Sequence, residues 1–114
     1  MKLPNLERAI VRPEKITHYL LSETHPVGRH KAKILMDFGF SVQSWQALEE
    51  ALRRHARQHE VTHVAATPFG SAYTIDGPLE APDGRAPRVR TVWFVETGQL
   101  VPYFVTAYPL EKVK

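Results

Sequence analysis

Between Glu23 and Leu35 the chain reads Glu-Thr-His-Pro-Val-Gly-Arg-His-Lys-Ala-Lys-Ile-Leu, setting two histidines, an arginine and two lysines within nine residues. Histidine is the side chain whose ordinary pKa lets it exchange protons near neutrality. Lysine neutralises phosphate as a point charge, and arginine engages two phosphate oxygens at once. A helix beginning at Val27 or Gly28 would add free backbone N–H groups and a positive dipole end, both of which favour an anion. Arg29, His30 and Lys31 oppose that dipole at a cost of roughly some tenths of a kcal/mol. Residues that break a local rule in this way point towards function. The competing reading is a solvated basic turn with a satisfied histidine.

Two further groups could carry chemistry. His55, His59 and His63 are spaced four apart, as metal ligands on one helix face can be. Ala56 follows the first of them where a zinc hydrolase would place glutamate, Val61 and Thr62 end the helix before His63, and His55 continues an apolar face. That makes His55 a semi-buried core histidine. In the second half, strand alternation groups Arg88, Arg90, Val92 and Phe94, then Phe104, Thr106 and Tyr108, then Tyr73 and Ile75. Arginine, threonine and tyrosine facing one another across strands would cradle a phosphate beside a stacking surface, although ordinary cross-strand packing gives the same pattern. Asp37, Asp76 and Asp83 are isolated in sequence and suggest no magnesium site. No metal and no cofactor is expected.

These residues need elements to position them. Pro13 suits the first turn of a helix over about 13–21 whose face is Ile16, Tyr19 and Leu20. A loop over 22–28 leads to a second helix ending at Phe38, with Ile34, Leu35 and Phe38 as its apolar face and Gly39 as its left-handed stop. Ser44 is placed to cap a third helix with the face Trp45, Leu48, Leu52 and Ala56. After about residue 60 the texture becomes β-branched and aromatic. Strands are predicted near 61–66, 70–76, 88–96 and 101–108, with Gly77–Pro87 as a long hairpin connection. Helices followed by an antiparallel sheet make an α+β domain with helices on one sheet face.

The 114 residues are enough for one domain with a modest core, so a single domain over 1–114 is expected. Hydrophobic residues at 43% and charged residues at 24% place the chain with globular proteins rather than disordered ones. There are no cysteines, which excludes disulfides, thiolate metal sites and cysteine nucleophiles. No apolar run has the length of a membrane span, and the N-terminus lacks the pattern of a signal peptide, so no membrane association and a cytoplasmic location are expected. A net charge of +3 permits a polyanionic partner without demanding one.

Several segments carry a resemblance that covers nearly the whole chain. They are Leu3-Pro-Asn-Leu-Glu-Arg-Ala9, His25-Pro-Val-Gly-Arg-His-Lys-Ala32, Gly39-Phe40, Thr67-Pro-Phe-Gly-Ser-Ala-Tyr73, Ile75-Asp-Gly-Pro-Leu79, Val89-Arg-Thr-Val-Trp93 and Val105-Thr-Ala-Tyr-Pro109. In these the chain resembles the bacterial family called domain of unknown function 6883. Members of that family occur as small stand-alone proteins, and similar domains occur at the C-terminal tips of large bacterial toxins. The arrangement is also similar to the barnase–EndoU–colicin–RelE group of metal-independent, RNA-cutting nucleases. The resemblance implies an α+β, barnase–EndoU–colicin–RelE-like fold and a toxin-type ribonuclease. Its His/Lys/Arg cleft would lie on the sheet.

Metal-free RNA cleavage needs a base for the 2′-hydroxyl, an acid for the 5′-oxygen and cations for the phosphorane. On this reading His30 is the base or acid, Lys31 and Arg90 stabilise charge, and Thr106 positions the phosphate. His25 and Arg29 contact substrate, His25 being the second possible proton carrier, while Tyr73 or Tyr108 stacks on a base. The partner would be RNA, with a small cognate inhibitor or neighbouring-gene protein as a second partner. The alternative is a non-catalytic protein-binding module, one half of a toxin–antitoxin pair, using its sheet edge and Trp93, Tyr103 and Phe104 as the interface.

Overall fold

In a computed structural model, which describes residues 1–110, a short 3-10 turn (Leu6–Arg8) precedes three helical segments and one sheet. Helix α1 (Pro13–Lys15) runs directly into a π-helical turn (Ile16–Leu20). Helices α2 (Gly28–Asp37) and α3 (Trp45–Gln58) follow. Strands β1 (Val61–Thr67), β2 (Gly70–Pro78), β3 (Arg88–Glu96) and β4 (Tyr103–Pro109) form a single sheet in sequence order, every pair antiparallel. The α+β arrangement is the one expected.

Local chemistry explains the helix limits. Pro13 occupies the first turn of α1, and the Leu21 N–H reaches back five residues to the Ile16 carbonyl, which widens the turn that carries Tyr19. At the end of α2, Gly39 adopts φ 103°, Phe40 N–H bonds the Leu35 carbonyl and Gly39 N–H bonds that of Met36. This is the paired stop that a left-handed glycine permits, with Phe40 buried beside it. Ser44 stands at the start of α3, but its hydroxyl makes no cap bond; its carbonyl accepts from Ala47 instead.

The helices cover one face of the sheet. Leu48, Leu52 and Ala56 of α3, Ile16 and Leu20 of the π-turn, and Leu35 of α2 pack with Ile75, Val89, Trp93, Phe104 and Ala107. His55 lies among them, 1% exposed, and every polar atom it meets is paired. Its Nε2 lies 3.1 Å from the Gly77 carbonyl and 3.0 Å from that of Val89, so this nitrogen carries the proton. Its Nδ1 accepts from the Thr91 hydroxyl, which in turn accepts from Trp93 Nε1. The core histidine expected from the sequence is therefore a cross-brace between α3 and the two central strands.

Two strand expectations change. Strand β2 continues to Pro78, so Gly77 belongs to the sheet and the connection to β3 is shorter than predicted. The register also shifts between Val92 and Trp93, whose partners are Thr106 and Phe104, leaving Val105 as an extra residue in β4. That bulge breaks the alternation, so Phe104 faces the core with Trp93, while Thr106 and Tyr108 stay on the opposite face with Val92 and Arg90. The open face thus carries three rows across the sheet: Asp76–Arg90–Tyr108, His63–Thr74–Val92–Thr106, and Ala65–Ala72–Phe94–Tyr103.

Candidate functional site

Helix α2 buries a narrow stripe, Gly28, Ala32 and Leu35, at helical spacing. Gly28 is needed there. A side-chain carbon at this position would overlap the Tyr19 carbonyl, so only glycine lets α2 lie this close to the π-turn. Lys31, one residue before Ala32, consequently projects across Tyr19 at the β4 edge. Its ammonium donates to Tyr19 Oη at 2.6 Å and to Thr106 Oγ1 at 2.8 Å, and the two hydroxyls are 2.9 Å apart. Both acceptors of the Lys31 charge are hydroxyls rather than carboxylates.

Cations and rings alternate outward from this triangle. Lys15 lies 5.2 Å from the Tyr19 ring centroid and Lys31 lies 5.0 Å from it. Lys31 is also 5.5 Å from the Tyr108 ring, and Arg90 is 6.0 Å from the same ring. Burial alone would raise the Tyr19 phenol pKa. Hydrogen bonds from Lys31 and Thr106, with the charges of Lys31 and Lys15, outweigh that and hold it below the ordinary phenol value.

Arg90 is already engaged. Its Nε and Nη2 meet the two Asp76 carboxylate oxygens at 2.7 and 2.8 Å, a bidentate pair that pushes the guanidinium further up and holds Asp76 below the usual carboxylate range. Asp76, expected to be isolated, is instead the anchor of Arg90. Asp37 and Asp83 likewise meet Arg85.

His25 adjoins the triangle from the loop. Its ring stands edge-on to Tyr19 with centroids 4.9 Å apart. Its Nδ1 accepts from the backbone N–H groups of Val27 and Gly28, both at 3.0 Å, and its carbonyl accepts from Arg29. Donors expected to await an anion at the helix start are therefore taken by His25, and the ring's proton sits on Nε2.

His30 is placed elsewhere. It is exposed in a shallow depression lined by Glu23, Arg29, Lys33 and Met36, and among the described residues no hydrogen bond or ring contact joins it to Lys31, Thr106 or Arg90. The physical reason is the stripe that α2 buries. Ile34, expected on the apolar face, is 40% exposed, so the His30–Ile34 side of the helix looks outward. Arg29 shares that outward depression. Tyr73 is also displaced from the cleft: paired with Trp93, it packs on the core face.

The structure therefore brings together Lys31, Thr106, Tyr108, Arg90 and His25, and separates His30, Arg29 and Tyr73. Sequence reasoning missed Tyr19, Lys15 and Asp76 as site residues. The four-residue spacing of Lys15 and Tyr19 was a usable signal, since it stacks a cation over a ring on one helix face. The Asp76–Arg90 pair left no local trace, because strand register creates it. His55 and His59 are ring neighbours at 5.0 Å, but among the described residues no three His, Cys, Asp or Glu side chains gather closely enough to hold a metal. No described helix is long and apolar enough to cross a membrane.

The family described as Domain of unknown function (DUF6883) matches residues 2–111. The chain belongs to this family. His25, Gly28, Lys31, Asp76, Arg90, Thr106 and Tyr108 of the β4-edge site all lie within the residues of this DUF6883 domain that the family match covers. No curated protein matches it significantly. Among solved structures, a chain of the contact-dependent growth inhibition toxin–immunity protein complex from Klebsiella pneumoniae 342 has the same fold. It has a TM-score of 0.69 and 16% identity, over 89% of this chain and 99% of that one.

Proposed function

We propose that this domain is a toxin-type, metal-independent RNA-cleaving domain whose chemistry is done at the β4 edge by Tyr19, Lys31 and Thr106. The observation that carries the reading is the Lys31 ammonium held by two hydroxyls, one of them a phenol made more acidic by that same charge. The fold similarity to a chain from a toxin–immunity complex supports a toxin-related role.

In the cleavage step Tyr19, acting through the ionised fraction that its lowered pKa enlarges, takes the proton of a ribose 2′-hydroxyl. The 2′-oxygen forms a bond to the adjacent phosphorus while the bond from phosphorus to the 5′-oxygen breaks, and Lys31 gives its proton to that leaving oxygen. The products are a 2′,3′-cyclic phosphate and a 5′-hydroxyl end. Tyr19, now a neutral phenol, returns the proton to the Lys31 amine across their short hydrogen bond, so the pair resets without a cofactor. Thr106 orients the phosphate, and the Arg90 N–H groups not used by Asp76 offset charge on the phosphorane. His25, with its proton on Nε2, caps α2 and fixes the Tyr19 ring rather than acting as a base.

Purified protein incubated with total RNA, with and without chelator, tests the reading. Cleavage should persist in chelator and leave cyclic or hydrolysed 3′-phosphate ends. Tyr19→Phe and Lys31→Met should each lower the rate by about 10²–10⁴-fold, with His30→Ala close to wild type. Full activity in both cleft variants, or its loss in chelator, would refute it. The second reading, a partner-binding module, draws on β1, an edge strand exposed along nearly its whole length and without charged residues. Tight binding to a neighbouring-gene protein with no RNA cleaved would favour it.

A further inference from the structure

Metal-free cleavage says nothing by itself about whether the RNA is paired, but the open face of the sheet does. Of the tyrosines near the cleft, Tyr73 is turned into the core, while Tyr19 and Tyr108 are each flanked by cations of the chain itself. Aromatic surface for a nucleobase must therefore come from elsewhere. The row next to Thr106 supplies it: Phe94 and Tyr103 are cross-strand partners on the open face, both partly exposed, with ring centroids 5.9 Å apart. The rest of that row is Ala72 and Ala65, which leaves a low floor beside the two rings. Gly70, in the next row, is buried under the edge of the Phe94 ring, since a side-chain carbon there would strike that ring at 2.7 Å. Beyond it Phe69, 78% exposed, stands in the β1–β2 turn.

Spacing ties this patch to the cations. Along β3, Phe94 lies two residues from Val92, the partner of Thr106, and four from Arg90, or about 7 and 13 Å at the rise of a strand. A backbone whose phosphate sits at Lys31 and Thr106 thus passes its neighbouring base over Phe94 and Tyr103. Cations for phosphates beside sequence-tolerant stacking rings are the pattern of single-strand binding. The two rings are tilted 56° to each other, so a splayed-out base stacks on one of them at a time, whereas duplex RNA keeps its bases stacked within the helix and offers the rings only its backbone.

We infer that the Phe94–Tyr103 pair is a base-stacking platform that makes single-stranded RNA the substrate class of the β4-edge site, an inference that rests on the cleavage reading for the site but not for its own test. The alternative for the pair is plain cross-strand packing over Gly70.

Fluorescence anisotropy with a 2′-O-methyl oligonucleotide, which cannot be cleaved through the 2′-oxygen, separates the two. The single strand should bind at least about tenfold more tightly than its duplex, and Phe94→Leu and Tyr103→Leu should each weaken single-strand binding by roughly 5- to 100-fold. Tyr103→Phe, which keeps the ring, should stay within about twofold of wild type, and thermal unfolding confirms that each variant is folded. Equal affinity for strand and duplex, or both leucine variants within about twofold of wild type, would overturn the platform. Because the probe is uncleavable, single-strand preference in a protein that cuts no RNA would sink the cleavage reading and leave the platform standing.

Discussion

Tyr19 is the residue on which the site's proton chemistry turns, and its titration can be measured without any activity. An ordinary phenol titrates near pH 10. Burial opposes the phenolate, but Lys31 and Thr106 hydrogen-bond to it and two lysine charges favour it, so Tyr19 titrates below that value. Ultraviolet titration of wild type against Tyr19→Phe should isolate one phenol ionising early. In Lys31→Met the hydrogen bond and charge of Lys31 are gone while burial, the Thr106 bond and the Lys15 charge remain, so the same phenol should ionise later than in the wild type. An unmoved titration in Lys31→Met would mean that the ammonium is not its partner in solution. Legibility at this scale was uneven. Lys31, Arg90, Thr106 and Tyr108 were readable because strand alternation and the basic motif marked them. Tyr19 was hidden, since a tyrosine at apolar helical spacing reads as core and only the π-turn swings its hydroxyl to β4.

At the scale of elements, the site depends on how close α2 lies to the π-turn. Gly28 sets that distance, and its missing side chain is replaced by the backbone of Tyr19 itself. Gly28→Ala would gain intrinsic helix propensity by about 1 kcal/mol, yet backbone meets backbone here and neither can rotate away. Overpacking of this kind costs about 1–3 kcal/mol, so a net loss of stability is expected, read by urea unfolding. Lys31 should also be carried off Tyr19, returning the phenol's titration towards its ordinary range. A variant as stable as wild type with an unchanged phenol would show that the contact is not needed. The glycine motif was visible in the sequence as a turn, but its reason was not, because the atom it avoids is nine residues earlier. The stop at Gly39 was fully legible, being local chemistry, whereas the Val105 bulge was not, because it follows from pairing with β3 rather than from residue types.

Across the whole molecule, helices and sheet are joined by a polar brace inside an apolar core, and this makes stability depend on pH. Burial disfavours the charged form of His55 and is the largest influence on it. The Gly77 and Val89 carbonyls and Asp76 pull the other way and His59 adds to the burial, with the net result that the pKa is lowered. The unfolded histidine titrates near 6.5, so protons bind the unfolded chain first as pH falls. The His55 contribution is therefore complete above about pH 6.5 and is lost as pH drops towards the lowered folded value. Asp76, whose pKa Arg90 depresses, acts in a lower window: its contribution is present above about pH 3.9 and is lost only below that. Urea unfolding between about pH 7.5 and 5.5, an interval set by roughly one unit either side of the free histidine value, should show stability declining with acid. His55→Gln should flatten that decline while lowering stability at pH 7 by about 1–3 kcal/mol, as buried partners lose their bonds. A wild type whose stability does not change over this interval would mean that His55 takes up its proton inside the fold, and the brace would then have to open without unfolding the chain.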